Sequence, residues 1–247
     1  MFKKKSKSKK GYPELASPLT LSIENENISL KFPPQIVDSM RYMTTRLMYK
    51  GKLPQRLALA SPIRQEGVTF ISRALATTLA NDFSFDICVV EMNWWWPDSS
   101  LSLNTNDAGL AAVLRNELSL EDALLRTGQS NLTLLPSGLM ALGQRPVWAR
   151  HLRLKEIIED LSEMFDHLIF DIPALLATND AIPLASLANA CCLVINQGVT
   201  SIESARLALD EISHIHMAGV VMNKVNVSTP SQLLNLIPQD PNPLINI

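Results

Sequence analysis

Nine consecutive residues, Ser61-Pro62-Ile63-Arg64-Gln65-Glu66-Gly67-Val68-Thr69, stand between an apolar run at 57–60 and a stretch with helical apolar spacing. A turn between a strand and a helix can hold phosphate. The first N–H groups of a helix lack intrahelical partners and lie at the positive end of its dipole. The full chemistry asks for more. It needs glycines that let the backbone close, a Lys for the β- and γ-phosphates, and a Ser or Thr for Mg²⁺. Here Gly67 takes the last glycine position and Thr69 the metal position. Val68 stands where the Lys belongs, and Gln65 where the first glycine belongs. Val68 offers a phosphate neither charge nor hydrogen bond. The Cβ of Gln65 disfavours the positive φ that glycine allows.

The elements that position this turn follow from hydrophobic spacing. Leu19, Leu21 and Ile23, then Ile28, Leu30 and Phe32, alternate on either side of Glu24-Asn25-Glu26-Asn27 and predict a β-hairpin. Pro33-Pro34 ends it and opens a helix through about Tyr49. Strands are expected at 57–60, 86–91, 132–135, 167–171, 190–195 and 218–222. Helices are expected at 69–79, 108–115, 119–126, 152–165, 180–188 and 200–212. Continuous apolar strands separated by helices imply an α/β fold, a mostly parallel twisted sheet covered on both faces. The expected organisation is a Lys-rich arm over 1–18, the hairpin over 19–33, an α/β domain over 34–225 and a Pro-rich tail over 226–247.

Composition narrows the classes. The 247 residues are 47% hydrophobic and 19% charged, which excludes disorder for the bulk of the chain. No apolar run approaches the roughly 20 residues of a membrane span. Cys88, Cys191 and Cys192 lie in apolar runs without CxxC spacing, which argues against a disulfide scaffold or structural zinc and for a reducing, cytoplasmic setting. The net charge of −2 conceals an asymmetry: Lys3, Lys4, Lys5, Lys7, Lys9 and Lys10 are six of the 22 basic residues. An acidic body with a cationic tip argues against nucleic acid. It leaves open a tail that touches an anionic membrane surface at the inner face of the plasma membrane, or one that only aids solubility.

Further segments fall in a definite order. After Glu66-Gly67-x-Thr69 come Glu91-Met92-Asn93-Trp94-Trp95-Trp96-Pro97, then GLAAVLRNELSLEDA over 109–123 and LLPSG over 134–138. Leu168-Ile169-Phe170-Asp171-Ile172-Pro173, Thr178-Asn179-Asp180-Ala181 and GVVMN over 219–223 follow. Over about residues 35–225 this order resembles the cytoplasmic P-loop domain of bacterial tyrosine kinases of capsular and exopolysaccharide systems. These are relatives of the MinD/ParA ATPases. The resemblance implies a three-layer P-loop fold that takes ATP and Mg²⁺. It places Arg64, Gln65, Glu66, Gly67, Val68, Thr69, Phe70 and Asn223 at the nucleotide, Asn223 near the adenine. It places Thr69, Glu91 and Asp171 at the metal, and Asp171, Glu91 and Asn93 at catalytic positions. It also implies a membrane polysaccharide co-polymerase or export component as partner, and a homo-oligomer.

The departures fall on the chemistry. Two second-strand aspartates of the family have become Glu91 and Asn93, and Asn93 cannot take a proton as a base. Arg64 and Arg73 are either stand-ins for the missing Lys or surface and structural arginines. The family's subunit-joining ExxRxxR helix appears as Asp38, Arg41 and Thr44, with Arg46 two residues on. Tyr12, Tyr42 and Tyr49 supply no tyrosine-rich tail of the kind that kinase members phosphorylate. Trp94, Trp95 and Trp96 replace a polar stretch and serve either as a contact surface or as a plug in the nucleotide cleft. Two functions remain. One is a non-catalytic regulatory or assembly partner in polysaccharide export. The other is an ATP-binding protein with residual ATPase or tyrosine kinase activity.

Overall fold

The computed structural model describes residues 17–24, 28–49, 51, 53–97 and 108–225. The expectations for the Lys-rich arm with Lys3, Lys4 and Lys5, and for the Pro-rich tail, lie outside the described residues. In chain order the elements are β1 (Leu19–Ser22), β2 (Ser29–Phe32), α1 (Pro34–Tyr49), β3 (Arg56–Ala60), α2 (Val68–Asp82) and β4 (Ile87–Glu91). Then come α3 (Leu110–Leu114), α4 (Leu120–Ala123), β5 (Leu125–Arg126) and β6 (Leu132–Leu135). A 3-10 turn (Leu142–Gln144), α5 (Arg145–Trp148), α6 (Leu152–Met164) and β7 (His167–Asp171) follow. The last described elements are α7 (Ala181–Ala185), β8 (Ala190–Asn196), α8 (Ile202–Glu211) and β9 (Met217–Asn223).

Seven strands form one sheet in the order β5-β6-β4-β7-β3-β8-β9, parallel except for the β5–β6 pair. The inner strands β3, β4, β7 and β8 are buried on both faces, so their alternate residues enter opposite cores. Ala58, Val90, Phe170 and Cys191 point into one core, with α3, α6, α7 and α8. Leu57, Val89, Ile169 and Cys192 point into the other, with α1, α2 and the hairpin. This is the covered parallel sheet that the apolar runs imply.

A local expectation is corrected. The helix expected over 119–126 stops at Ala123, because Leu124 is extended and Leu125–Arg126 pairs antiparallel with β6. Ser119 still caps the short helix, accepting the Asp122 N–H at 3.1 Å. The turns over 142–148 carry Gly143 and Pro146. Pro146 is tolerated because it sits in the first turn of α5.

The β1–β2 hairpin lies against the β5 edge, with Gly128 N–H donating to the Ser22 carbonyl and Glu24 N–H to the Arg126 carbonyl. Phe32 meets Phe70 edge-on with ring centroids 5.3 Å apart, which ties the hairpin to the first turn of α2. The three cysteines are buried. Burial pushes the thiols of Cys88 and Cys191 up, Cys191 to about 12, so both stay protonated and inert at neutral pH.

Candidate phosphate-binding cleft

β3 lies inside the sheet, with the central strand β7 beside it and β4 beyond, and all three point their C-terminal ends at one crevice. In open α/β sheets that end is where ligands bind. The crevice here is about 400 Å³. Arg64, Gln65, Gly67, Thr69, Asn93 and Asp171 are among its lining residues. The chain thus brings the loop, the helix start and the ends of two further strands together as the sequence order implies.

The loop is braced from outside. Glu66 is 1% exposed although it is charged. One carboxylate oxygen accepts the Ile63 N–H at 3.2 Å, and the other accepts the Thr200 hydroxyl. The Gln65 carbonyl accepts Asn196 Nδ2 at 3.2 Å, and the Glu66 carbonyl accepts Asn223 Nδ2 at 2.8 Å. These anchors explain a departure from expectation. Gln65 does adopt a positive φ of 65°, where a Cβ is disfavoured by about 1–2 kcal/mol. Its side chain is exposed, and its backbone follows the fixed residues on either side. Gly67 is left-handed too, at φ 90°, and a Cβ there would stand 2.4 Å from Asn223 Nδ2. Asn223, expected near the adenine, braces the loop through its bond to the Glu66 carbonyl. Its Oδ1 also accepts the Lys224 N–H at 2.9 Å.

Val68 opens α2 and is 8% exposed, packed in the core shared by α1, α2 and the hairpin. Thr69 is half-buried beside the cleft, and so is Phe70, whose ring is turned to Phe32. Arg64 is exposed and lies over the Trp96 ring, 4.0 Å from its centroid. Such an exposed cation–π contact contributes about 0.5–1 kcal/mol.

Arg73, one turn beyond Thr69, is neither a surface residue nor a spare cation. It is 4% exposed, and its Nη2 lies 2.5 Å from Glu91 Oε1, with Nε at 3.2 Å. Glu91, at the end of β4, is in register with Asp171 at the end of β7. Two carboxylate-bearing positions therefore stand side by side, and a buried guanidinium is bonded to Glu91. Sequence reasoning left this pair out, although Arg73 shares a helix face with Thr69 and so carried a signal.

The three tryptophans separate. Trp94 is 1% exposed in the core, and its indole N–H donates to the Ser137 carbonyl at 2.9 Å. Trp95 is half-buried beside it, with ring centroids 6.0 Å apart. Trp96 lines the cleft, and its N–H donates to Asn93 Oδ1 at 3.1 Å. Arg41, proposed at a subunit contact, makes two hydrogen bonds to Asp82 within the chain, at 2.7 and 2.8 Å. That pairing holds the Asp82 carboxyl below the usual carboxylate range.

The loop backbone fits a phosphate: the start of α2 has no side-chain cap, and the left-handed Gly67 opens it. The divalent cation fits poorly. Glu91 is committed to Arg73, and among the described residues no group of three or more His, Cys, Asp or Glu is placed to hold a metal ion.

No family model matches the chain. It is 24% identical over 198 residues to the tyrosine-protein kinase ptk of Acinetobacter johnsonii, covering 78% of this chain and 27% of that protein. It is 30% identical over 129 residues to the tyrosine-protein kinase YwqD of Bacillus subtilis, covering 51% of this chain and 54% of that protein. The chain therefore spans about a quarter and about half the length of these two relatives. The kinase domain of the Escherichia coli tyrosine kinase ETK superposes with a TM-score of 0.69 at 18% identity, over 78% of this chain and 79% of that one. The septum site-determining protein MinD of Pyrococcus horikoshii, solved with Mg-ADP, superposes with a TM-score of 0.56 at 21% identity, over 76% and 82%. The chain is thus similar to the bacterial tyrosine kinases and is built on the α/β fold that their kinase domains share with MinD-like ATPases.

Proposed function

We propose that this chain is a P-loop protein that no longer transfers phosphate and acts as a regulatory or assembly partner in extracellular polysaccharide biosynthesis and export. The observation that carries the reading is Val68. In a phosphate-transferring loop this position holds the ammonium that meets the β- and γ-phosphates and the charge that develops during transfer. Here a β-branched apolar side chain fills it, packed against the core beneath the hairpin. Asn93 beside the cleft adds to this, because an amide cannot accept the proton of an attacking hydroxyl. The polysaccharide pathway and a membrane co-polymerase as partner come from the kinship with bacterial tyrosine kinases.

The test uses the purified 247-residue chain. With Mg²⁺-ATP it gives no thermal shift and releases no phosphate, and Val68→Lys alone does not restore turnover. Micromolar ATP binding by the wild type would favour the competing reading, an ATP-binding protein that uses Thr69, Asp171 and Glu91 with an arginine in place of Lys.

Among the described residues no helix is long and apolar enough to cross a membrane. Contact with the membrane is assigned to the lysines of residues 3–10, at about 1 kcal/mol each beside anionic lipid. Deleting residues 1–10 abolishes flotation with phosphatidylserine vesicles, and the intact chain loses flotation as salt rises. Flotation that ignores both the deletion and the salt would rule the electrostatic contact out.

A further inference from the structure

The buried ion pair behind the cleft has a consequence for what the site recruits. In a P-loop, the hydroxyl after the loop and the carboxylates at the strand ends together draw in a divalent cation. Here Thr69 and Asp171 line the cleft and Glu91 stands in register with Asp171. Arg73 projects from the same helix face as Thr69, one turn on, and lies 2.5 Å from Glu91. A guanidinium has a fixed positive charge that cannot be titrated away in a protein, and its planar donors suit a carboxylate. A divalent ion arriving beside it would meet like-charge repulsion in a poorly solvated site. It would also find the Glu91 carboxylate already hydrogen-bonded to Arg73.

We propose that Arg73 is the resident cation of this cleft, set where the fold otherwise recruits a divalent metal, so that the site is metal-independent. Arg73 is a positioning residue here: it fixes Glu91 and supplies charge to the strand-end corner without exchanging with solvent. Ligands of the cleft are then met by the loop amides without a bridging metal, which suits a phosphate-bearing anion presented free of metal. Removing the guanidinium would uncover a latent metal site built from Thr69, Glu91 and Asp171.

The inference is tested with Mn²⁺ alone, by electron paramagnetic resonance titration and thermal melting of the full chain. The wild type is expected to bind no Mn²⁺ below millimolar concentration, and its melting temperature is expected to be the same in EDTA and in Mg²⁺. Arg73→Gln is expected to gain at least tenfold in Mn²⁺ affinity and to melt higher when Mn²⁺ is added. Both gains are expected to vanish in Arg73→Gln/Glu91→Gln, which a merely structural arginine would not require. Submillimolar Mn²⁺ binding by the wild type that is lost in Asp171→Asn would overturn the proposal. So would a folded Arg73→Gln with no gain. If Arg73→Gln does not fold, the wild-type titration decides alone: silence upholds the proposal and binding overturns it. The result is separable from the proposed function. A wild type that binds Mn²⁺ yet releases no phosphate defeats only the resident cation, and one that hydrolyses ATP without metal defeats only the loss of transfer.

Discussion

Arg73→Leu lowers the free energy of unfolding by about 3–5 kcal/mol, because it leaves the Glu91 carboxylate buried without its guanidinium. The two side chains are 4% and 7% exposed, so water cannot replace the lost partner. The sign of the second step separates this account from simple loss of packing. Adding Glu91→Leu to Arg73→Leu removes the stranded charge and recovers most of the lost stability. If packing alone were at stake, the double variant would fall further. Urea unfolding of the two single variants and the double one measures the coupling directly. Arg73 and Glu91 come from different elements, α2 and β4, so the pair also fixes how the helix sits on the sheet.

Trp94→Ala costs about 3–5 kcal/mol, the range for deleting a large aromatic from a packed core. Two effects combine. The indole is buried in the same core as Met92, Leu110 and Leu135, and its N–H satisfies the Ser137 carbonyl. Trp94→Phe keeps part of the volume and loses the donor, so it costs less, about 1–2 kcal/mol. Trp96→Ala, half-buried at the cleft, stays within about 1 kcal/mol and removes the surface over which Arg64 lies. Denaturant unfolding followed by far-ultraviolet circular dichroism orders the three. A Trp96→Ala loss as large as that of Trp94→Ala would contradict the division of labour within this run.

That run also shows where sequence reading stops. The strands are legible because each buried strand is a short apolar run, and residues 132–135 and 167–171 match the elements residue for residue. Leu125–Arg126 is illegible for the opposite reason. Two residues have no period, and only the neighbouring β6 makes them a strand. The cradle is legible from Gly67 and Thr69, whose positions relative to strand and helix carry the geometry. The fate of Trp94, Trp95 and Trp96 is not, since identical neighbours are sorted by which core lies beneath each. Arg73 is an intermediate case. Its spacing from Thr69 puts it on the face toward the strand ends, but its partner depends on β4 lying next to β7, which is a fact of topology. Gln65 misled because the rule against positive φ is local, whereas Asn196, Thr200 and Asn223 impose the loop's shape from distant parts of the chain.

The amide of Asn223 gives the last strand a say in the width of the cradle. It reaches from the end of β9 to the Glu66 carbonyl, while Asn196 at the end of β8 holds the carbonyl one residue earlier. The loop's aperture is therefore clamped by two strand tips that lie 27 positions apart in sequence but side by side in the sheet. β9 is also the outermost strand, with Val220 and Met222 about half exposed. Whatever shifts that rim by an ångström retunes the gap between loop and helix, with no need to touch either.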